Sequence, residues 1–357
     1  MDICRKITIN ILRMTVRITK LFVHTIKQIT YKGLGMENEN ISPELGFFQK
    51  IFQPDKWETY FRRTKLLSSP APGKWELIDF PLEVALELTN YCNINCIMCP
   101  VPNLKRSRGF MDEGVFKKVA EDISQESGFL FMPQGFGELF LNNKWSQLID
   151  FASNRGIQPI IILTNGMLLN ETNIPKLINK VDVILVTIDG ATAKTYESVR
   201  VKGNFEKVTK NIEKFLEIRG NNESPHLVLR IIKMKETGGE IASFHEYWSK
   251  KIEKGDIIHI ADYNDWAGSV TERGIDEIKT QKDRRPCRML WKNLTVYYDG
   301  RVSPCCYDAE GDLIIGNVSN QGLKEIWNGA PLRNMRNLHL THQFGKIPLC
   351  SRCRNWI

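Results

Sequence analysis

The chain has 357 residues, enough for one large domain or for two to three smaller ones, each burying its own core. Apolar residues make up 42% and charged residues 25%, which excludes wholesale disorder, a collagen-like repeat and a multi-span membrane protein. Nine cysteines and a net charge of +8 stand out, and both are unevenly spread.

Residues 1–35 hold Arg5, Lys6, Arg13, Arg17, Lys20, Lys27 and Lys32 against Asp2, so this segment alone supplies +6 of the +8. Ile3, Ile7, Ile11, Met14, Ile18, Phe22, Ile26 and Ile29 recur three or four apart and predict a basic amphipathic helix. Two roles suit it equally: peripheral contact with an anionic membrane surface, or docking on its own or a partner protein. Charges interrupt the stripe too often for a spanning helix. Because the charge is local, a nucleic-acid partner is not expected. Residues 36–79 contain Pro43, Pro54, Pro70, Pro72 and Gly73 and read as a linker, with one short helix around Trp57 to Leu67.

From residue 80 the rhythm is regular. Leu82 to Leu88 alternates like a strand, Asp112 to Gln125 reads as a helix, Gly128 to Phe136 as a strand and Lys144 to Asn154 as a helix. Strands follow at Pro159 to Leu163, Val181 to Ile188, His226 to Met234 and Asp256 to Ile260, with helices at Ile174 to Asn179, Phe205 to Arg219 and Ile241 to Ile252. Six strands alternating with helices imply an α/β fold with parallel strands and right-handed crossovers, a partial (β/α)6 barrel over residues 80–284. From about Asp283 the pattern breaks into short strands and turns, so a separate small cysteine-rich domain is expected over 285–357.

No secretion signal is visible, so a reducing cytoplasm is the expected compartment, with peripheral attachment at the inner face of the membrane as the variant for a membrane-bound helix. There, clustered cysteines bind metal or do redox chemistry. Cys92, Cys96 and Cys99 lie directly after the first strand, in the loop where a β/α barrel places its active site. Three thiolates within eight residues can hold three irons of a four-iron cube and leave the fourth open. A zinc site would want a fourth Cys or His nearby, and the segment after Cys99 supplies none.

This C-x-x-x-C-x-x-C spacing resembles the radical S-adenosylmethionine (radical SAM) superfamily. Further segments, each at the end of an expected strand, fit the same resemblance. Gly135, Gly137 and Glu138 in Gln-Gly-Phe-Gly-Glu look like the family's glycine-rich motif beside the methionine amino group of SAM. Thr164-Asn165-Gly166 and Thr187-Ile188-Asp189-Gly190 match family positions around the SAM ribose and carboxylate, and Tyr196 and Arg200 look like the segment that follows. Met98, where the family often has an aromatic residue near adenine, can still supply apolar contact. Taken singly, each of these smaller motifs also suits an ordinary turn glycine or helix cap. The resemblance implies a SAM-binding 4Fe-4S cluster on Cys92, Cys96 and Cys99. SAM cleavage there would give a 5′-deoxyadenosyl radical that abstracts hydrogen from a substrate C–H bond.

The second cysteine group, Cys287, Gly300, Cys305 and the pair Cys350 and Cys353, resembles the SPASM/twitch extension of radical SAM enzymes. That resemblance implies an auxiliary iron–sulfur cluster, expected to be 4Fe-4S, on Cys287, Cys305, Cys350 and Cys353. The single-cluster twitch form fits better than a full SPASM domain, which needs further cysteines. Residues 294–302 read as a hairpin turning at Asp299-Gly300. The alternative for these four thiolates is structural zinc. Cys306 is left as a spare thiol, an alternative ligand to Cys305 or a hydrogen-atom donor, and Cys4 stands alone.

The expected reaction is dehydrogenation of a carbohydrate-like small molecule, such as a sugar derivative, with the auxiliary cluster accepting an electron and a flavodoxin- or ferredoxin-type protein as donor. Arg230, His259 and Asp262, polar residues in or after late strands, are the candidates for handling the substrate proton. Peptide or protein maturation, epimerisation through Cys306 and a noncatalytic zinc protein are the alternatives.

Overall fold

A computed structural model of the chain describes residues 59, 60, 63, 64, 78–253, 255–275 and 284–356. The basic segment 1–35 and most of 36–79 lie outside the described residues. Of the short helix expected around Trp57 to Leu67, Thr59, Tyr60, Arg63 and Thr64 are described, and all four are helical.

Six strands form the barrel wall: β1 Glu83–Leu86, β2 Leu130–Met132, β3 Ile161–Thr164, β4 Val183–Thr187, β5 His226–Lys233 and β6 Ile257–Asp262. Strands β3, β4, β5 and β6 pair in parallel in that order, β1 pairs in parallel with β2, and a parallel bridge from Phe131 to Ile160 links the two groups. Every residue of β4 is buried, as expected of a strand covered on both faces.

Local chemistry sets the helix ends. Helix α1, Glu113–Ser124, is capped by the Asp112 side chain, which accepts from Gly114 N at 2.7 Å, and it buries Phe116, Val119, Ala120 and Ile123 at three- and four-residue spacing. Helix α2 is Trp145–Ser153 and the short α3 is Ala193–Val199. Helix α4, Phe205–Arg219, starts on Asn204, which accepts from Lys207 N at 2.7 Å, and stops at Gly220 with φ +50°. Helix α5 is Ile241–Ser249.

Two elements are shorter than the sequence implies. The helix expected over Ile174 to Asn179 is a single 3-10 turn, Ile174–Lys176, because Pro175 suits only a helix start and Asn179 sits at φ +58°. The strand expected from Gly128 to Phe136 pairs only over Leu130–Met132, and the chain then turns through Gly137 at φ +94°.

The cysteine-rich segment that begins where the pattern breaks at about Asp283 is joined to the barrel through a shared sheet. Strand β7, Asn293–Val296, adds in parallel to the outer edge of β1, from Glu83 opposite Asn293 to Leu86 opposite Val296. Strand β8, Arg301–Ser303, returns antiparallel from β7 through the expected turn, with Gly300 at φ +83°, and β9, Gly316–Asn317, follows. The reason is physical: β1 opens the partial barrel, so its outer N–H and C=O groups need a partner. Helices α6 Leu323–Trp327, α7 Ala330–Leu340 and α8 Pro348–Arg352 complete the segment. No described helix is long and apolar enough to cross a membrane.

Candidate functional site

The loop after β1 carries Cys92, Cys96 and Cys99. It is held from both sides. Asn95–Cys96 pairs antiparallel with Arg200–Val201, the stretch that follows α3. Cys92 and Cys99 pack with Phe136, Tyr297 and Ala309, so this loop shares an apolar cluster with the C-terminal segment. Trp266, at φ +52° after β6, donates its indole N–H to Met98 O at 2.9 Å and packs against Phe136 and Tyr307. The Met98 side chain is buried with Val199 and Met234. Beside the loop opens a cleft of about 540 Å³ lined by Cys96, Cys99 and Gly268 to Thr271.

Burial pushes the Cys92 thiol up to about 11 and Cys99 up to about 12, and it raises Cys96 as well; neighbouring thiols add to the effect at Cys92 and Cys99. Three thiols in such a place ionise readily only against a cationic partner, and an iron–sulfur cluster is one. The donor set, three thiols in one short loop, fits a cube open at one iron.

The strand ends converge on this loop. At Gly137 a Cβ would lie 2.5 Å from Thr89 O and 2.6 Å from Tyr91 O, so only glycine lets the two strand-end loops approach. A Gly137→Ala variant is expected to lose roughly 1–2 kcal/mol or more, visible as a lower melting temperature. Glu138 is buried and accepts from Thr164 Oγ1 at 2.9 Å and Asn165 N at 2.9 Å. Asn165 Nδ2 donates to Asn93 Oδ1 at 2.8 Å and lies 3.8 Å from Cys92 Sγ.

Burial pushes the Glu138 carboxyl up to about 7 despite those donors. In metal-free protein the folded state then keeps a proton that the unfolded chain has released, between the ordinary carboxylate value and about 7. Stability therefore falls as pH rises through that window, by roughly 3 kcal/mol in all. Glu138→Gln is expected to flatten that part of a denaturation profile against pH.

Two residues expected around SAM are spent inside the protein. Asp189 is fully buried; it accepts from Arg200 Nε at 2.9 Å, from Arg200 Nη2 at 2.6 Å and from Ile232 N at 2.8 Å. It therefore acts by holding Arg200, whose Nη1 lies 3.5 Å from Cys96 Sγ. Thr187 Oγ1 accepts from Arg230 Nε at 3.2 Å and Nη2 at 3.1 Å. No carboxylate bonds Arg230 among the described residues, and burial lowers its pKa to about 10, so it stays cationic at neutral pH. His259 lies beside Arg230 in register on β6. Asp262, a candidate for proton handling, instead points outward: it is exposed and pairs with Lys233 at 2.5 Å.

In the C-terminal segment, Cys287, Cys305, Cys350 and Cys353 line one cavity, and Cys306 does not line it. Burial, then neighbouring thiols, pushes Cys350 up to about 12 and raises Cys305 well above its usual value; burial also pushes Cys353 to about 11. This donor set suits a closed, four-thiolate cluster. Sequence patterns give no sign of Asn93, Trp266, Arg106 or His339, whose partners are distant in the chain.

Residues 86–247 match the model of the Radical SAM superfamily, and residues 287–354 match that of SPASM, an iron–sulfur cluster-binding domain. The mycofactocin maturase MftC of Mycobacterium tuberculosis (strain ATCC 25618 / H37Rv) is 26% identical over 153 residues, 41% of this chain and 38% of the maturase. The chain spans well under half the length of the first curated relatives it matches. BtrN, solved in complex with AdoMet and 2-DOIA, superposes with a TM-score of 0.55 at 18% identity, covering 77% of this chain and 94% of that one. SuiB of Streptococcus suis, solved bound to precursor peptide SuiA, gives 0.59 at 13% identity, covering 90% and 79%. Both structures share the fold.

Proposed function

Because the chain belongs to the radical SAM superfamily and carries an SPASM domain, whose clusters are of the 4Fe-4S type, we propose that it oxidises a carbohydrate-like small molecule by two electrons. When bound, SAM and its cluster supply a 5′-deoxyadenosyl radical able to take hydrogen from an unactivated carbon. In this reading Cys92, Cys96 and Cys99 hold that cluster. Arg200, fixed by Asp189, offers its guanidinium beside it. Gly137 lets backbone close in on the SAM amino group, and Glu138 holds the Thr164–Asn165 strand end in place. Met98 gives the apolar contact. Arg230 binds an anionic group of SAM or substrate against Thr187. Cys287, Cys305, Cys350 and Cys353 hold an auxiliary cluster that takes an electron from the substrate, and a flavodoxin- or ferredoxin-type protein reduces the first cluster.

The observation that carries the reading is the parallel pairing of β1 with β7, which ties the second cysteine cavity to the strand that leads into the first. An electron acceptor belongs there. The superposition covering 94% of BtrN, a protein solved with a small molecule, supports the substrate class. The test is a screen of nucleotide sugars and aminocyclitols for substrate-dependent 5′-deoxyadenosine, with one equivalent formed per product two hydrogens lighter. A product of unchanged mass carrying solvent deuterium would instead mean epimerisation.

Peptide maturation is the second reading, favoured by the similarity to MftC and to SuiB. It requires a precursor peptide, and no sugar derivative, to elicit 5′-deoxyadenosine. For residues 1–35, salt-sensitive binding to anionic liposomes is expected of the whole chain and not of one starting at Met36.

A further inference from the structure

His339, on α7, is fully buried and lines the same cavity as Cys287, Cys305, Cys350 and Cys353. Its Nδ1 accepts the backbone N–H of Cys287 at 3.1 Å. A backbone N–H can only donate, so Nδ1 presents a lone pair and the ring proton sits on Nε2. That Nε2–H is buried with no hydrogen-bond partner among the described residues. The ring is kept in place by Phe344, edge-on at 5.1 Å, with the Arg284 guanidinium over the other ring at 4.4 Å.

A buried donor without an acceptor is rare in a folded protein and calls for a group that completes it. Within a cavity lined by four thiols, the acceptors that complete it are sulfurs. With Nδ1 committed to Cys287, Nε2 has no lone pair to offer a metal, so His339 is a donor and not a fifth ligand. We propose that His339 donates Nε2–H to a sulfur of the auxiliary cluster, a sulfide or a cysteinate, and so raises that cluster's reduction potential. The hydrogen bond stabilises the extra negative charge of the reduced state more than the oxidised one, and hydrogen bonds to sulfur are among the levers that set such potentials. His339 is thus a positioning residue, fixing Cys287 on one side and tuning the electron acceptor on the other.

The inference rests on the auxiliary cluster proposed above. Its test is a potentiometric EPR titration of the reconstituted full chain beside His339→Leu and His339→Gln, with iron counted in each. The auxiliary potential is expected to shift negative in His339→Leu and to return most of the way in His339→Gln, whose amide can donate. The potential of the SAM-binding cluster should not move. An unchanged auxiliary potential in His339→Leu would overturn the proposal, and so would loss of about four of about eight irons from both variants, which would make His339 a scaffold or ligand. About four irons in the unsubstituted protein would overturn the auxiliary-cluster reading itself.

Discussion

Replacing Cys92, Cys96 or Cys99 with alanine is expected to abolish 5′-deoxyadenosine release in the presence of SAM and dithionite. Each variant should also shed about four irons while keeping the auxiliary cluster. The effect is all-or-none because the three thiols sit within one eight-residue loop and each would hold a separate iron of the cluster. Far-UV circular dichroism should be unchanged, since the loop is also held by the Asn95–Cys96 pairing with Arg200–Val201 and by the Trp266 bond to Met98 O. Cys306→Ala is the matched control. Cys306 does not line the second cavity, so that variant should keep both clusters.

Arg106→Ala is expected to cost about 3–5 kcal/mol, the largest stability loss of any single change at this site. Glu87 lies at the end of β1 with its side chain 0% exposed, and Arg106, 5% exposed, engages both its carboxylate oxygens. Removing the guanidinium leaves a buried carboxylate without its cation. The same side chain donates to Ala309 O at 2.5 Å and lies over the Tyr297 ring at 4.7 Å. Glu310 accepts from Lys105 N and Arg106 N, so the stretch after Cys99 is clamped to the C-terminal segment. The loss should appear in chemical denaturation, and a double Glu87→Met, Arg106→Met variant should recover much of it, because an apolar pair of similar volume has no charge to desolvate. If Arg106→Ala alone melts like the parent, the clamp is not holding the two segments together.

What could be read from the chain was what repeats locally. Period-two and three-to-four spacing found five of the six barrel strands and helices α1, α2, α4 and α5 close to their observed bounds, because each buries a face that its own residues encode, whereas β2 pairs over only Leu130–Met132 of the stretch read as a strand. The Asp299-Gly300 turn was legible for the same reason, since its geometry demands those residue types. What could not be read depends on partners remote in sequence. Nothing near Met98 points to Trp266, and nothing near Cys287 points to His339. Asp189 falls at a position that the family resemblance ties to SAM, yet a motif gives a position and not a bonding partner; here that partner is Arg200. Asp262 misled because a strand-end residue can face either way, and a lysine in register on β5 draws it outward. The union of the cysteine-rich segment with the barrel sheet was hidden as well. An irregular stretch shows where a pattern ends, not which free strand edge will receive it.

The account turns on two distinct clusters in one chain, and iron and acid-labile sulfide counted on anaerobically prepared protein test it most directly. It predicts about eight of each per chain, falling to about four in Cys92→Ala and to about four in Cys350→Ala. About four of each in the unsubstituted protein, or zinc with no sulfide, would contradict it.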